Sequence, residues 1–569
     1  MKPNTSNKVL VIGLDGATFD LIDPWIEQGR LPALAACLQK GTRSRLLSTP
    51  LSNSAQAWSS FITGKNPGKH GIYDFFETLS DSYGVRFLNA SFRKGRSLWR
   101  LVNHAGKKVG VMNVPITYPA EEVNGFLIPG LDSPGIDDDF AYPKGLMEEI
   151  NSKVGGYILE AGIWGHIRRG RPDKALEGLL EMVKTRTATA RYLMAEKAWD
   201  LFVVVYTATD KVQHHFWKYM DPARPESHTS EPYADAILKV YEEIDKGVGQ
   251  LTAAAGDASV ILMSDHGAGP SSRRTMYINR WLSREGFLRF QDPGGISGQW
   301  GRLKYRFLER ANNEIKKRLP RGAKEVLLRL FPNLRDRVDS VLFLPGIDWS
   351  RTVAYSRENH PAIFMNTKGR EAEGFVEPGT QYEQTRNRII EKLKELRCPE
   401  TGKPIVGRIF KGEDLYHGPE AFKAPDIVFQ WNDFLYVHRP SGGGPETNFL
   451  ETLDDKALVA SENTARPSGI HRDQGIFIAS GNHLRKNRAM DGVSICDVAP
   501  TILYLLGIPI PEDMDGRVLR EAIEECFLRE NPMRATARVW EDEEKTTLDF
   551  TEDESKDVRD RLRGLGYID

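Results

Sequence analysis

The stretch KVLVIGLDGATFDLIDPW, residues 8–25, decides the fold. Its run from Val9 to Leu14 is apolar at almost every position, turns at Asp15-Gly16, and continues in sequence compatible with a helix. A strand that is apolar throughout, rather than at alternate positions, is buried on both faces, as parallel strands between helical layers are. The pattern recurs outward from this stretch at residues 108–113 (KVGVMN), 201–206 (LFVVVY), 259–263 (SVILM) and 475–479 (GIFIA), each beside a polar or Gly-rich turn. Helix-compatible segments such as 172–198 separate these runs. The expected fold is therefore α/β: a doubly wound, mainly parallel sheet between helices.

The chain's 569 residues exceed what one ordinary core accommodates, so the α/β unit must carry insertions or be joined by further units. Hydrophobic residues at 40% and aromatic residues at 9% suffice to bury a core, and 27% charged residues is near the globular average; general disorder is excluded. The 77 Lys and Arg nearly cancel the 78 Asp and Glu, leaving a net charge of −1. That balance argues against dedicated nucleic-acid binding and confines any anionic partner to a local patch. Cys37, Cys398, Cys496 and Cys526 are too few and too scattered for a disulfide framework or a thiolate zinc site, which fits a reducing compartment. The first apolar run is too short for a secretory signal, and none approaches the ~20 residues of a spanning helix, so the expected location is cytoplasmic.

Five segments are expected. Residues 1–283 form the first part of a catalytic α/β core, 284–347 a basic helical insertion or lid, 348–440 a small α+β excursion, 441–530 the returning part of the core, and 531–569 an acidic tail. Within the insertion, residues 302–337 hold twelve Lys or Arg against four acidic residues, a local balance of +8. Its apolar Val326, Leu327, Leu328, Leu330 and Phe331 suit either a lid packed over an anionic site or peripheral contact with a lipid surface.

Chemistry-bearing residues cluster at strand ends, where an open α/β sheet gathers its ligands. Asp15 ends the first strand, and it serves equally as a helix cap. Asp210 and His214, four apart in TATDKVQHHFW, share one helix face and suit a common cation; a capping Asp and a packed His explain the pair as well. Asp265-His266 follow the strand SVILM in SDHGAGP, a Gly-rich turn that permits close approach to a ligand. His471 precedes the run GIFIA. Between the first and second of these sites, TPLSNSAQAWSSFITGKNPGKHGI offers Ser52, Ser54, Ser59, Ser60 and Thr63 as hydroxyls, among which composition does not choose.

Taken in order, GLDG, AWSSFITGKNPGKHGI, TDKVQHHFW, SDHG and GIHRDQGIFIASG resemble the type I phosphodiesterase/nucleotide pyrophosphatase branch of the alkaline phosphatase superfamily. DVAPTILYLLGIPIPEDMDGRVL and the closing RLRGLGYID are similar to carboxyl-terminal sequences there. The resemblance spans nearly the whole chain and implies an alkaline-phosphatase-like fold. It places the nucleophile nine residues before Thr63, at Ser54. It further implies one divalent metal ion held by Asp210, His214 and His471 and a second held by Asp15, Ser54, Asp265 and His266. Three His and three Asp favour Zn²⁺, with Mn²⁺ as the alternative. The activity implied is metal-dependent phosphohydrolase or phosphodiesterase action on a small-molecule or headgroup phosphate ester through a phosphoseryl intermediate. A phosphomutase using the same phosphoserine is the alternative within this chemistry, and a non-catalytic scaffold the alternative outside it. Two departures carry weight. Phe75, beside Asp74, stands where nucleotide pyrophosphatases have a phosphate-binding Asn, and the Pro and Arg of the sulfatase pattern are missing after Ser54.

Overall fold

The structure, a computed structural model, describes residues 7–137, 139–224, 231–291, 344, 346–357, 359–440, 448–462, 466–537 and 547–564. The basic segment 302–337 lies outside the described residues. So does its expected role as lid or lipid contact.

The main sheet is built from β1 (Val9–Leu14), β2 (Gly41–Leu47), β3 (Val109–Met112), β4 (Gly125–Ile128), β5 (Leu201–Tyr206) and β6 (Ser259–Met263). Two short strands, β7 (Gly267–Pro270) and β8 (Gly469–Arg472), pair outside it, and β9 (Gln474–Gly481), β10 (Arg488–Ala489) and β11 (Val493–Ser494) complete it. The strand order is β10-β2-β9-β6-β1-β5-β3-β4, with β11 also on β2. The expected α/β architecture is present, with one exception to its parallel rule: β9 runs antiparallel to both β2 and β6.

Side chains of β1 alternate between two cores. Leu10, Ile12 and Leu14 pack with helices Pro172–Glu196 and Ala236–Ala255 on one face. Val9 and Val11 pack with helices Ser54–Thr63 and Val498–Leu505 on the other. This double burial is why the strand reads as apolar without alternation. In register, Leu14 lies opposite Tyr206, and Gly13 opposite Met263, so β1, β5 and β6 end at one edge.

A third core belongs to the excursion, where Ala354–Tyr355, Ala362–Met365, Ile427–Trp431 and Val406–Lys411 form an antiparallel sheet backed by helix Thr380–Glu395. Met276 to Leu288 also feed this core. The acidic tail contains a docked helix, Glu552–Gly564, whose Val558 and Leu562 are buried against Ala55, Phe75 and Phe87. No helix among the described residues is long and apolar enough to cross a membrane.

Candidate metal centre

The shared edge of β1, β5 and β6 delivers three carboxylates. Asp15 follows β1 directly, Asp210 sits in the first turn of helix Ala208–Met220 after β5, and Asp265 follows β6. All three are buried. Gly16 has φ +67°, and a Cβ there would stand 3.1 Å from Asp210 Oδ1, so the close approach of Asp15 to Asp210 requires glycine. The Gly16 N–H donates to Asp265 Oδ1 at 3.3 Å, and the Trp58 indole N–H to Asp15 Oδ2 at 3.3 Å.

His214 lies one helical turn beyond Asp210, with its Nε2 3.1 Å from Asp210 Oδ1. His471 arrives on β8, which pairs antiparallel with β7 so that His471 lies opposite Ala268. Because β9 is antiparallel, the residues before it sit at the edge where the parallel strands finish. His471 therefore joins residues that follow strands. Its Nε2 is 3.1 Å from His214 Nε2 and 3.4 Å from Asp210 Oδ1, and its ring stacks on that of His266 with centroids 3.7 Å apart.

Each imidazole has its Nδ1 on a backbone carbonyl: His214 on Gly469 at 2.7 Å, His266 on Gly267 at 2.9 Å, and His471 on Ser52 at 2.8 Å. A carbonyl oxygen only accepts, so Nδ1 carries the proton in every case and each Nε2 presents a lone pair inward. Those lone pairs meet three carboxylate oxygens, Asp15 Oδ1, Asp210 Oδ1 and Asp265 Oδ2, which are buried and accept no hydrogen bond among the described residues. Asp15 Oδ1 and Asp265 Oδ2 stand 3.6 and 3.4 Å from His266 Nε2. Lone pairs facing lone pairs in a buried interior are costly unless a cation lies between them. The donor set, imidazole nitrogen with carboxylate oxygen, fits a borderline divalent metal. The ligand atoms of Asp15, Asp265 and His266 lie within 4.8 Å of one another, as do those of Asp210, His266 and His471. His266 thus stands between two groups.

Electrostatics without a cation underline the strain. Burial, with Asp265 and Asp210 alongside, pushes the Asp15 carboxyl well above the usual carboxylate range. Burial acts on Asp210 in the same direction, but a proton on His214 or His471, standing where a cation would, outweighs it and holds Asp210 low, and the same pairing raises His214 against its burial. Burial and the neighbouring His266 push His471 down to about 4.

Ser54 opens helix Ser54–Thr63, whose N-cap Asn53 accepts from the N–H groups of Ala55 and Gln56. Its hydroxyl lies 3.0 Å from His266 Nε2. The other four hydroxyls have different occupations or none in the cluster: Ser52 Oγ donates to Asp473, Ser60 Oγ meets His70, Thr63 Oγ1 donates to the Ser59 carbonyl, and Ser59 Oγ is buried without a partner among the described residues. Two residues absent from the sequence reading matter here. Asn53 donates through Nδ2 to Asp74 Oδ1 at 2.8 Å and meets His360 Nε2 at 3.0 Å. His360 comes from the excursion, and nothing in RENHPAIF marks it.

The remaining candidates are structural. Lys69 pairs with Asp515 at 2.5 Å. His70 is buried against Ser60, and burial with Arg93 nearby pushes it down to about 3. Arg370 is bound to Asp426 and Lys368 to Glu377, so neither is poised for an outside anion. Phe75 is a buried ring of the core that also holds Leu562.

The profile of the type I phosphodiesterase/nucleotide pyrophosphatase family matches residues 9–444. The chain belongs to this family. Members of the type I phosphodiesterase family are phosphoester hydrolases, and this chain is an enzyme of that class. A search among curated proteins finds no sequence match. Among solved structures, phosphonoacetate hydrolase from Sinorhizobium meliloti 1021 in complex with phosphonoformate is similar at 14% identity and a TM-score of 0.52, over 88% of this chain and 96% of that one. Human ectonucleotide pyrophosphatase/phosphodiesterase 5 aligns at 13% identity and a TM-score of 0.46, over 92% of this chain and 99% of that one. At such identity, the likeness to the hydrolase bears on the fold alone, and it agrees with an alkaline-phosphatase-like sheet.

Proposed function

We propose that this family member hydrolyses phosphate esters by attack of Ser54 Oγ on phosphorus. Asp210, His214 and His471 hold one divalent cation, and Asp15, Ser54, Asp265 and His266 hold a second, with Zn²⁺ preferred and Mn²⁺ the alternative. The observation that carries this reading is the set of three unpartnered buried carboxylate oxygens facing three imidazole lone pairs. When bound, such cations supply Lewis acidity that favours the ionised serine oxygen and the departing oxygen at neutral pH.

The chain's own residues do the rest. Ser54 sits at the amino end of its helix, where the helix dipole favours negative charge on its oxygen. Asn53, held by Asp74 and His360, fixes the backbone just before the nucleophile. Trp58 holds Asp15 in its orientation. Attack forms the Ser54–phosphorus bond and breaks the bond to the leaving alcohol; water then cleaves the phosphoserine, releasing phosphate and restoring the hydroxyl.

Ser54→Ala tests the assignment. Its turnover of p-nitrophenyl phosphate and bis(p-nitrophenyl) phosphate should fall by at least about a thousandfold, while thermal unfolding stays near wild type and much of the bound metal is retained. Unchanged turnover places the nucleophile elsewhere.

A further inference from the structure

A cavity of about 150 Å³ opens beside the candidate metal centre, between the core and the excursion. Of the seven proposed ligands, only His214 and His471 line it; Ser54, Asp15, Asp265 and His266 do not. The cavity therefore meets the centre at His214 and His471, on the side of the first proposed cation rather than of the one that Ser54 is proposed to hold. In an in-line displacement, that side receives the group that leaves.

One side of its wall is aromatic, and Gln430, His438 and Arg439 add polar groups beside it. Phe429, Trp431 and Tyr436 are buried, and Trp431 packs edge-on to Phe429 with centroids 4.8 Å apart. Two successive residues in left-handed conformation, Asp433 at φ +50° and Phe434 at φ +54°, carry Phe434 to the rim, where the Arg472 guanidinium lies 4.3 Å from its ring. Such backbone geometry is costly for a bulky residue and persists where surrounding packing enforces it. The Trp431 indole N–H is buried and has no acceptor among the described residues. A space of this size accommodates about one benzene ring.

We infer that this cavity holds the leaving alcohol of the substrate, a ring-sized and largely apolar group such as a phenol or cyclic alcohol. The inference rests on the phosphohydrolase reading of the adjacent centre. The bond that breaks is the phosphorus–oxygen bond to this alcohol. Its electron pair stays on the oxygen at the His214 and His471 end, and a proton from water completes the alcohol.

The test is calorimetric binding of methyl-, phenyl- and 2-naphthylphosphonate to the full-length protein with the metal it carries from purification. Phenylphosphonate should bind at least about tenfold more tightly than methylphosphonate, reflecting burial of the ring, and the naphthyl compound no more tightly than phenyl. Val437→Phe, which fills the cavity, should reduce the phenyl-over-methyl ratio about tenfold. Equal binding of phenyl and methyl compounds overturns the inference, as does a further tenfold gain for naphthyl. The wild-type series decides even where the variant fails to fold. Hydrolysis of phenyl phosphate and phenyl methyl phosphate is followed in parallel. If the phosphonate order holds but neither ester is cleaved, the cavity assignment stands and the hydrolase reading fails; if the esters are cleaved while phenyl and methyl compounds bind alike, the reverse is true.

Discussion

Three histidines owe their orientation to a single kind of contact, a backbone carbonyl at Nδ1. That contact fixes the tautomer, and the tautomer aims a lone pair at the carboxylates. His70 illustrates the contrasting case of a buried imidazole with no part in the centre. Its folded pKa lies at about 3 against an ordinary 6.5, so the unfolded chain takes up a proton first as pH falls. The stability His70 contributes is present above pH 6.5 and is lost progressively as pH falls from there toward 3, at up to about 1.4 kcal/mol per pH unit. His70→Gln should flatten the pH dependence of the unfolding free energy from urea titrations between pH 6 and 4 by about that slope. An unaltered slope would show that His70 titrates normally in the folded protein.

At the scale of elements, the decisive feature is the reversal of β9. From sequence its apolar run is indistinguishable from a parallel strand, because burial on both faces looks the same in either direction. Had β9 been parallel, His471 would lie at the far edge of the sheet. Strands β2 and β4 escaped notice for different reasons: β2 is rich in Thr, Arg and Ser, with its exposed positions on one side, and β4 is only four residues long. The cap of helix Ser54–Thr63 was equally hidden, since Asn53 is one polar residue among many in that stretch. Asn53→Ala removes the cap and the ties to Asp74 and His360. It should cost about 1–2 kcal/mol of stability and lower kcat for phosphate esters, because the proposed nucleophile is the first residue of that helix. A variant with wild-type unfolding and wild-type kcat would deny the cap both functions.

Across the whole molecule, ordered motifs make the α/β core and the gathering of Asp and His at its strand ends legible, whereas contacts between distant segments are not. The excursion's delivery of His360 to Asn53 depends on the pairing of Ala362–Met365 with Ile427–Trp431, which local sequence does not encode. The tail reads as acidic, yet the spacing of Val558 and Leu562 gives its helix one apolar face, and Arg561 donates to the Leu131 carbonyl at 2.9 Å. Asp15, Asp210, Asp265, His266 and His471, with Ser54 on His266 and His214 on His471, meet only when this entire architecture forms. Metal stoichiometry therefore tests the architecture and the chemistry together. Elemental analysis of the purified full-length protein after equilibration with Zn²⁺ should find about two ions per chain in the wild type and about one in Asp265→Ala. A wild type that retains no divalent metal, or an Asp265→Ala variant that still holds two ions, would contradict the account.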